Sequence, residues 1–154
     1  MRENNKSIEN QKAANYAVVC AAFNLRKASR AITSLYDDYM RPAGFRATQT
    51  TLMMVLQQVG RISILGLSEI LIMDRTTVAR DLRPLVREGL VMIVKGKDRR
   101  VRIVELTPVG HDALAHVLPI WEQAQKRIIA DFGAERYQSL LGELNVLVKV
   151  IRSK

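Results

Sequence analysis

Residues 74–107, DRTTVARDLRPLVREGLVMIVKGKDRRVRIVELT, decide the fold of this chain. The first half has the spacing of a short basic helix, with Asp74 suited to the N-cap and Gly89 to the end. The second half has two β-rich runs, 90–94 and 101–106, around a turn rich in cations. A cationic helix followed directly by a cationic hairpin fits the major groove of DNA and the neighbouring phosphates.

We predict that the polar side chains of this segment contact DNA. Hydroxyls near a helix N-terminus suit phosphates, and arginine suits the edge of guanine. The cations of the turn suit phosphates or a narrow minor groove. For a single arginine, a solvated surface position is a competing interpretation, and the ordered arrangement favours DNA. The predicted contacts are Arg75, Thr76, Thr77, Arg80, Arg83, Lys97, Arg99 and Arg100.

One proline interrupts the predicted basic helix. Pro84 costs a backbone hydrogen bond in the last turns and can bend the helix after Arg83. We therefore expect base contacts from the half of the helix that precedes Pro84, with Arg80 favoured over Arg83 and Arg87.

The composition points to a polyanionic partner inside a cell. The 154 residues include 24 Lys and Arg against 15 Asp and Glu, a net charge of +9 that suits nucleic acid or an anionic membrane surface. No apolar run approaches the roughly 20 residues that span a bilayer, and no secretory signal is visible. The single cysteine, Cys20, allows no intrachain disulfide. We predict a cytoplasmic protein that does not act at a membrane.

The rest of the chain is predicted to be helical. Helices are expected over 12–40 and 48–58, the second with Thr48 as N-cap, followed by a short strand over 62–64. Thr107 is the expected N-cap of a further helix, with Pro108 in its first position. Two helices are predicted between the short strand and the hairpin. The first is expected to have inward apolar side chains at Leu67, Ile70 and Leu71, and the second, the basic helix, at Val78, Leu82, Leu85 and Val86.

This layout predicts a mainly α fold with a small β-wing, of class α+β. The chain is expected to form a single domain over 1–154, with a winged helix-turn-helix core over 47–107. Helices over 11–41 and 108–153 would flank the core. Apolar steps of three and four recur at the C-terminal end, at Tyr137, Leu141, Leu144, Val148 and Ile151.

The flanking helices predict a homodimer. A core of roughly 60 residues does not need three further helices to cover it. Pairing these helices across a two-fold axis would place two recognition helices about 34 Å apart, one turn of DNA. A monomeric helical cap is the competing interpretation.

The chain resembles the MarR family of bacterial transcriptional regulators. The resemblance lies in 74–78 (DRTTV), 85–91 (LVREGLV), 98–100 (DRR) and 106–110 (LTPVG), with weaker likeness at 48–49 and 67–69. It implies a homodimer on a pseudo-palindromic DNA site. It also adds Asp98 to the predicted DNA site, as the acid that orients Arg100. Ser68 departs from the family, where alanine is usual, and is small enough to change little.

The resemblance also implies a cleft for a small aromatic or phenolic effector. Core packing is the better interpretation for any one of the candidate residues, which are Tyr36, Met40, Phe45 and Trp121. In some members a cysteine on the first helix senses oxidants, so Cys20 is a candidate redox residue. No cation lies three or four residues from Cys20, and we favour a buried packing cysteine.

No motif for catalysis, a metal or a cofactor is visible. His111 and His116 are the only histidines and do not share a helix face. The sequence therefore predicts a non-enzymatic, sequence-specific regulator that binds double-stranded DNA, acting as a repressor released by a small ligand or an oxidant. The alternative is a non-specific architectural module that binds DNA or RNA.

Overall fold

The computed structural model describes residue 16, residues 18–98 and residues 100–153. The chain divides into two compact units, one up to Leu35 and one from Tyr36 onward. A short 3₁₀ helix, Arg41–Ala43, follows the first helix. The helices are α1 Ala21–Met40, α2 Ala47–Val59, α3 Ile64–Leu71, α4 Arg75–Arg87, α5 Pro108–Phe132 and α6 Ala134–Arg152. The strands are β1 Ile62–Ser63, β2 Val91–Lys95 and β3 Arg102–Leu106.

The three strands form one antiparallel sheet in the order β1-β3-β2. Val91 of β2 pairs with Leu106 of β3, and Lys95 pairs with Arg102 beside the turn. The Gly96 amide donates to the Val101 carbonyl at 2.9 Å, which closes the hairpin. This hairpin after α4 is the wing, so the predicted winged-helix fold, mainly α with a small sheet, is confirmed.

The core of the second unit lies between helices α2 to α5 and the sheet. Its fully buried side chains come from all of these elements. Helix α4 is therefore stabilised by packing against the interior more than by the intrinsic helix propensity of its residues. The fully buried side chains include Met53, Leu56, Leu67, Val78, Leu82, Leu85, Val104, Leu114 and Val117.

Two of the predicted inward side chains point outward. Ile70 is 48% exposed and Val86 is 39% exposed. The buried face of α3 runs through Leu67 and Ser68, and Ile70 lies about 110° around the helix from it at ~100° per residue. Val86 lies roughly 70° from the buried centre of α4 by the same geometry, at the margin of the face.

The predicted N-cap of α2 is wrong. The helix begins at Ala47 and Arg46 is the N-cap, so Thr48 lies inside the first turn. The free amides there are satisfied by side chains: Asp37 Oδ1 accepts from the Ala47 amide at 2.7 Å, and Gln49 Oε1 accepts from the Arg46 amide at 3.0 Å. Asp37 comes from α1, ten positions away, which a local pattern does not reveal.

The predicted first helix is interrupted near its start. Residues 16, 18 and 19 are helical, but Cys20 interrupts the helix and α1 begins at Ala21. Residues 12–15 and 17 of the predicted helix lie outside the described residues.

The predicted apolar stripe of α6 is largely uncovered in the single chain. Tyr137 and Leu144 are half-buried, whereas Leu141, Val148 and Ile151 are 37%, 43% and 65% exposed. Among the described residues, no helix has both the length and the apolar composition that crossing a membrane requires.

Candidate nucleic-acid interface

One face of α4 carries three of the predicted DNA-contacting side chains, Thr76, Arg80 and Arg83, together with Arg87. Val78, Leu82 and Leu85 turn into the core. At ~100° per residue, the opposite face carries Thr76, Arg80, Arg83 and Arg87. All four side chains are exposed. The helix therefore presents a hydroxyl near its N-terminus and three guanidinium groups away from its own core.

The start of α4 is fixed by Asp74, as predicted. One carboxylate oxygen accepts from the Thr77 amide at 2.8 Å, and the other accepts from the Thr77 hydroxyl at 2.6 Å. The hydroxyl bond, followed by the amide bond, lowers the pKa of Asp74 below its usual value. Thr77 gives its hydroxyl proton to this cap, so its first role is to hold the helix start, with Thr76 facing outward beside it.

We predict that this cap gives α4 a stability that depends on acid pH. Because the pKa of Asp74 is lower in the folded chain, its stabilisation is present above the ordinary aspartate pKa and is lost as pH falls through the lowered value. Asp74→Asn keeps a capping oxygen without a titrating charge. We expect the unfolding free energy of wild type to fall more steeply in acid than that of Asp74→Asn. Parallel pH profiles in urea unfolding would contradict this.

The wing turn is held by Asp98. Its carboxylate accepts from the backbone amide of Arg100 at 2.9 Å, and its carbonyl accepts from the Val101 amide at 2.9 Å. The acid thus orients Arg100 through the backbone of the turn. Lys97 and Arg100 are exposed at the tip, and Arg99 lies outside the described residues.

A cleft separates the wing from the start of α4. Its volume is about 540 Å³, and Arg75, Thr76, Arg100 and Arg102 are among its lining residues. Among the described residues no carboxylate lines it, and three arginines share one concave space. This arrangement suits an anionic backbone, and it adds Arg102 to the predicted contacts.

A second cleft, of about 510 Å³, lies on the other side of the exposed face of α4. Arg80 and Arg87 line it together with Arg46 and Thr48 of the α2 start. Asp81 and Glu88 also line it, and their carboxylates lie 3.4 Å from Arg80 and 3.6 Å from Arg87. Both ion pairs are exposed, so the guanidinium groups can leave them at little cost.

The second cleft changes the expectation for Pro84. The helix continues past Pro84 to Arg87, and the Glu88 amide donates to the Pro84 carbonyl at 3.0 Å. Arg87 therefore shares the face of Arg80. The sequence offered no signal for Arg46, because only the fold brings it beside α4.

The four candidate effector residues pack on the core. Met40 is fully buried, and its sulfur accepts from the buried Thr50 hydroxyl at 3.3 Å. Tyr36 and Trp121 stack with ring centroids 6.0 Å apart, and both pack against the core, as does Phe45. The structure brings Tyr36 and Trp121 together, and an effector role for the four residues is a prediction.

Cys20 is exposed in the chain, so the predicted buried packing position is wrong for the single protomer. Its carbonyl accepts from the Asn24 amide and side chain, at 3.1 and 3.0 Å. His111 Nδ1 lies 2.6 Å from Gln57 Oε1. Within residues 16, 18–98 and 100–153, His, Cys, Asp and Glu form no group of three that could hold a metal.

Comparison with known proteins identifies similar structures. The Mycobacterium tuberculosis transcriptional regulator MosR, solved in complex with DNA, is 30% identical, and the match covers 86% of this chain and 98% of MosR with a TM-score of 0.75. The chain belongs to the MarR family of transcriptional regulators. No family model and no curated protein sequence matches it.

Two other MarR-like structures share the fold at lower identity. MarR of Escherichia coli is 19% identical over 84% of this chain and 96% of its own, with a TM-score of 0.66. BpsR of Bordetella bronchiseptica is 19% identical over 84% of this chain and 94% of its own, with a TM-score of 0.74.

The MarR-like stretch 106–110 locks the wing to α5. The Thr107 hydroxyl donates to the Gly89 carbonyl at 2.6 Å and accepts from the Gly110 amide at 3.0 Å. The Thr107 amide donates to the Leu90 carbonyl at 3.0 Å. The threonine therefore caps α5 and ties it to the end of α4, which explains this residue at this position.

Proposed function

We propose that this MarR-family protein is a homodimeric repressor that binds a pseudo-palindromic site in double-stranded DNA. The exposed face of α4, flanked by the two arginine-lined clefts, carries the proposal. Residues 47–107 would bind DNA, and residues 11–41 and 108–153 would form the dimer. In this assignment Arg80 reads a base edge, and Thr76 and the other cleft arginines contact phosphates. Arg100 enters the minor groove, where it neutralises the flanking phosphates. Arg75, Thr77, Arg83, Lys97, Asp98 and Arg99 complete the proposed interface.

MosR supports the DNA partner, since it is 30% identical and was solved in complex with DNA. The net charge of +9 agrees with a polyanionic partner. The protein would act in the cytoplasm and without enzymatic activity.

The exposed apolar side chains support the dimer. On α6, Val146, Val150 and Ile151 are 57%, 61% and 65% exposed, an unusual surface for a monomer. In the unit up to Leu35, Phe23 is 46% exposed. A second copy of the chain would cover such faces, and it would supply the second recognition helix.

Release by a small ligand or an oxidant is part of the proposal. DNA binding by BpsR is regulated by 6-hydroxynicotinic acid, and this chain shares the fold of BpsR. An effector that binds better to a dimer with misplaced recognition helices must lower DNA affinity. Tyr36, Met40, Phe45 and Trp121 are the proposed pocket residues, and exposed Cys20 is the proposed oxidant target.

Binding-site selection from random duplexes tests this function. We expect two inverted half-sites with centres about 10 base pairs apart, bound by a dimer in sedimentation experiments. Equal affinity for all duplexes at matched salt would contradict the proposal. That result would favour the alternative, a non-specific architectural DNA- or RNA-binding module.

A further inference from the structure

The last turn of α1, residues 36–40, contacts two parts of the second unit. Tyr36 points to α5 and α6, whereas Asp37 and Met40 point to α2. This "bridging turn" therefore connects α5 and α6 with α2, the helix that begins the proposed DNA-binding core.

The contact with α5 and α6 is a chain of hydrogen bonds. The Tyr36 hydroxyl donates to Gln125 Oε1, and Gln125 Nε2 donates to the Tyr137 hydroxyl at 2.5 Å. The Tyr36 ring also stacks on Trp121, with 13° between the planes. Burial, and then the nearby Tyr137, raises the pKa of Tyr36, so the phenol stays protonated and able to donate.

The contact with α2 is made through its first turn. Asp37 Oδ1 accepts from the Ala47 amide at 2.7 Å, one of the amides that no helix can satisfy internally. A carboxylate in this position also suits the positive end of the helix dipole. Three residues later, the sulfur of fully buried Met40 accepts a hydrogen bond from the hydroxyl of Thr50, which is also fully buried.

The bridging turn adds hydrogen bonds, which are directional, to the otherwise apolar contacts of α2. Helix α2 packs directly on α5, on α4 and on β3. Apolar packing sets the distance between these helices and restricts their orientation. Directional hydrogen bonds further restrict how α2 is turned and shifted along its axis. Because α4 packs on α2, a shift of α2 moves the recognition helix with it.

We propose that the bridging turn sets the position of α2, and through it of α4, relative to α5 and α6, with Asp37 as the principal positioning residue. The proposal rests on the proposed dimeric DNA binding. Asp37 does not reach DNA in this assignment. Removal of the Asp37 carboxylate should leave the affinity for a single half-site unchanged. It should lower the affinity for the full site, which two protomers must bind at once.

The test compares Asp37→Ala with two matched variants. Asp37→Asn keeps an acceptor oxygen, and Asp38→Ala removes the neighbouring carboxylate, which is exposed and pairs with Arg41 at 3.0 Å. Asp37→Ala and Asp38→Ala change the net charge equally. Affinities are measured for a single half-site and for the full site, and thermal unfolding verifies that each variant folds.

We expect Asp37→Ala to lose about 10-fold in full-site affinity and less than about 2-fold for the half-site. Asp37→Asn should lose less, and Asp38→Ala should match wild type. Full-site affinity retained in Asp37→Ala, or an equal loss on both duplexes, overturns the positioning role alone. A wild type that gains nothing from the second half-site overturns the proposed function and this inference together.

The other end of the bridging turn gives a second test. Tyr36→Phe keeps the ring on Trp121 and removes the donor to Gln125. We expect the same selective loss of full-site affinity. The double variant of Tyr36→Phe with Asp37→Ala should bind the full site about as tightly as the weaker-binding of the two single variants. If the two losses in binding free energy add fully in the double variant, Tyr36 and Asp37 act independently, which overturns a joint role in the bridging turn. Should Asp37→Ala fail to fold, Tyr36→Phe alone decides, because retention of its full-site affinity also overturns the proposal.

Discussion

Gly110→Ala is expected to prevent folding or to destabilise the chain by more than about 3 kcal/mol. A Cβ at this position would lie 1.9 Å from the carbonyl oxygen of Leu90 and 2.9 Å from its carbonyl carbon. Both are backbone atoms, and that oxygen also accepts from the Thr107 amide at 3.0 Å. The oxygen therefore cannot move away without breaking the link between the wing and α5. Helix propensity favours alanine by only ~1 kcal/mol, so the steric cost decides the sign.

Gly142→Ala is the matched control for that substitution. Gly142 lies within α6, and no atom of the residues that the structure describes lies within 4 Å of a Cβ built there. Alanine should therefore stabilise α6 by up to about 1 kcal/mol. The two variants are compared by urea unfolding followed by circular dichroism. A Gly110→Ala protein as stable as Gly142→Ala would show that α5 can shift away from Leu90 and would contradict the close approach.

The elements that sequence predicts well are those with local causes. The cap of α4 needs only Asp74 and Thr77, three positions apart. The wing needs two β-rich runs and a turn, and the start of α5 needs Thr107 before Pro108. In each case the donors and acceptors lie close together in the sequence, so their pattern is sufficient evidence for the structure.

The errors arise where the cause is distant in sequence. Thr48 resembles an N-cap, but the carboxylate of Asp37 reaches the first turn of α2 from another helix, and the observed N-cap, Arg46, lies two residues earlier. The clefts depend on the same kind of distant contact. Arg46 becomes a candidate phosphate contact only because the core places the α2 start beside Arg80 and Arg87.

Other predictions concern side chains that remain exposed in the single chain. The apolar positions of α6 predict a partner surface, and the single chain leaves Val148 and Ile151 largely exposed. Cys20 is a similar case, since the periodicity favours burial and the side chain is exposed in the single chain. Sequence periodicity identifies a face that needs covering, but it does not identify the molecule that covers it.

The combined substitution of Arg80 and Arg100 by alanine is expected to lower DNA affinity at least about 1,000-fold. A dimer would lose four guanidinium groups, two from α4 and two from the wing. At roughly 1 kcal/mol or more for each guanidinium, the total reaches about 4 kcal/mol, and each 1.4 kcal/mol is about tenfold. Both side chains are exposed, and neither belongs to the core, so the fold should be unaffected. Binding is measured by fluorescence anisotropy over a range of salt.

The single variants should differ in kind, since the two arginines are assigned different partners. Arg80→Ala should relax preference at one base pair of each half-site, whereas Arg100→Ala should weaken all duplexes and reduce the salt slope by about 1 for each phosphate that is no longer neutralised. Lys126→Ala, an exposed cation on α5 outside both clefts, controls for the lost charge. If Lys126→Ala weakens binding as much as either arginine variant, net charge alone attracts DNA. In that case the exposed face of α4 does not read sequence, and the architectural alternative accounts better for the clefts.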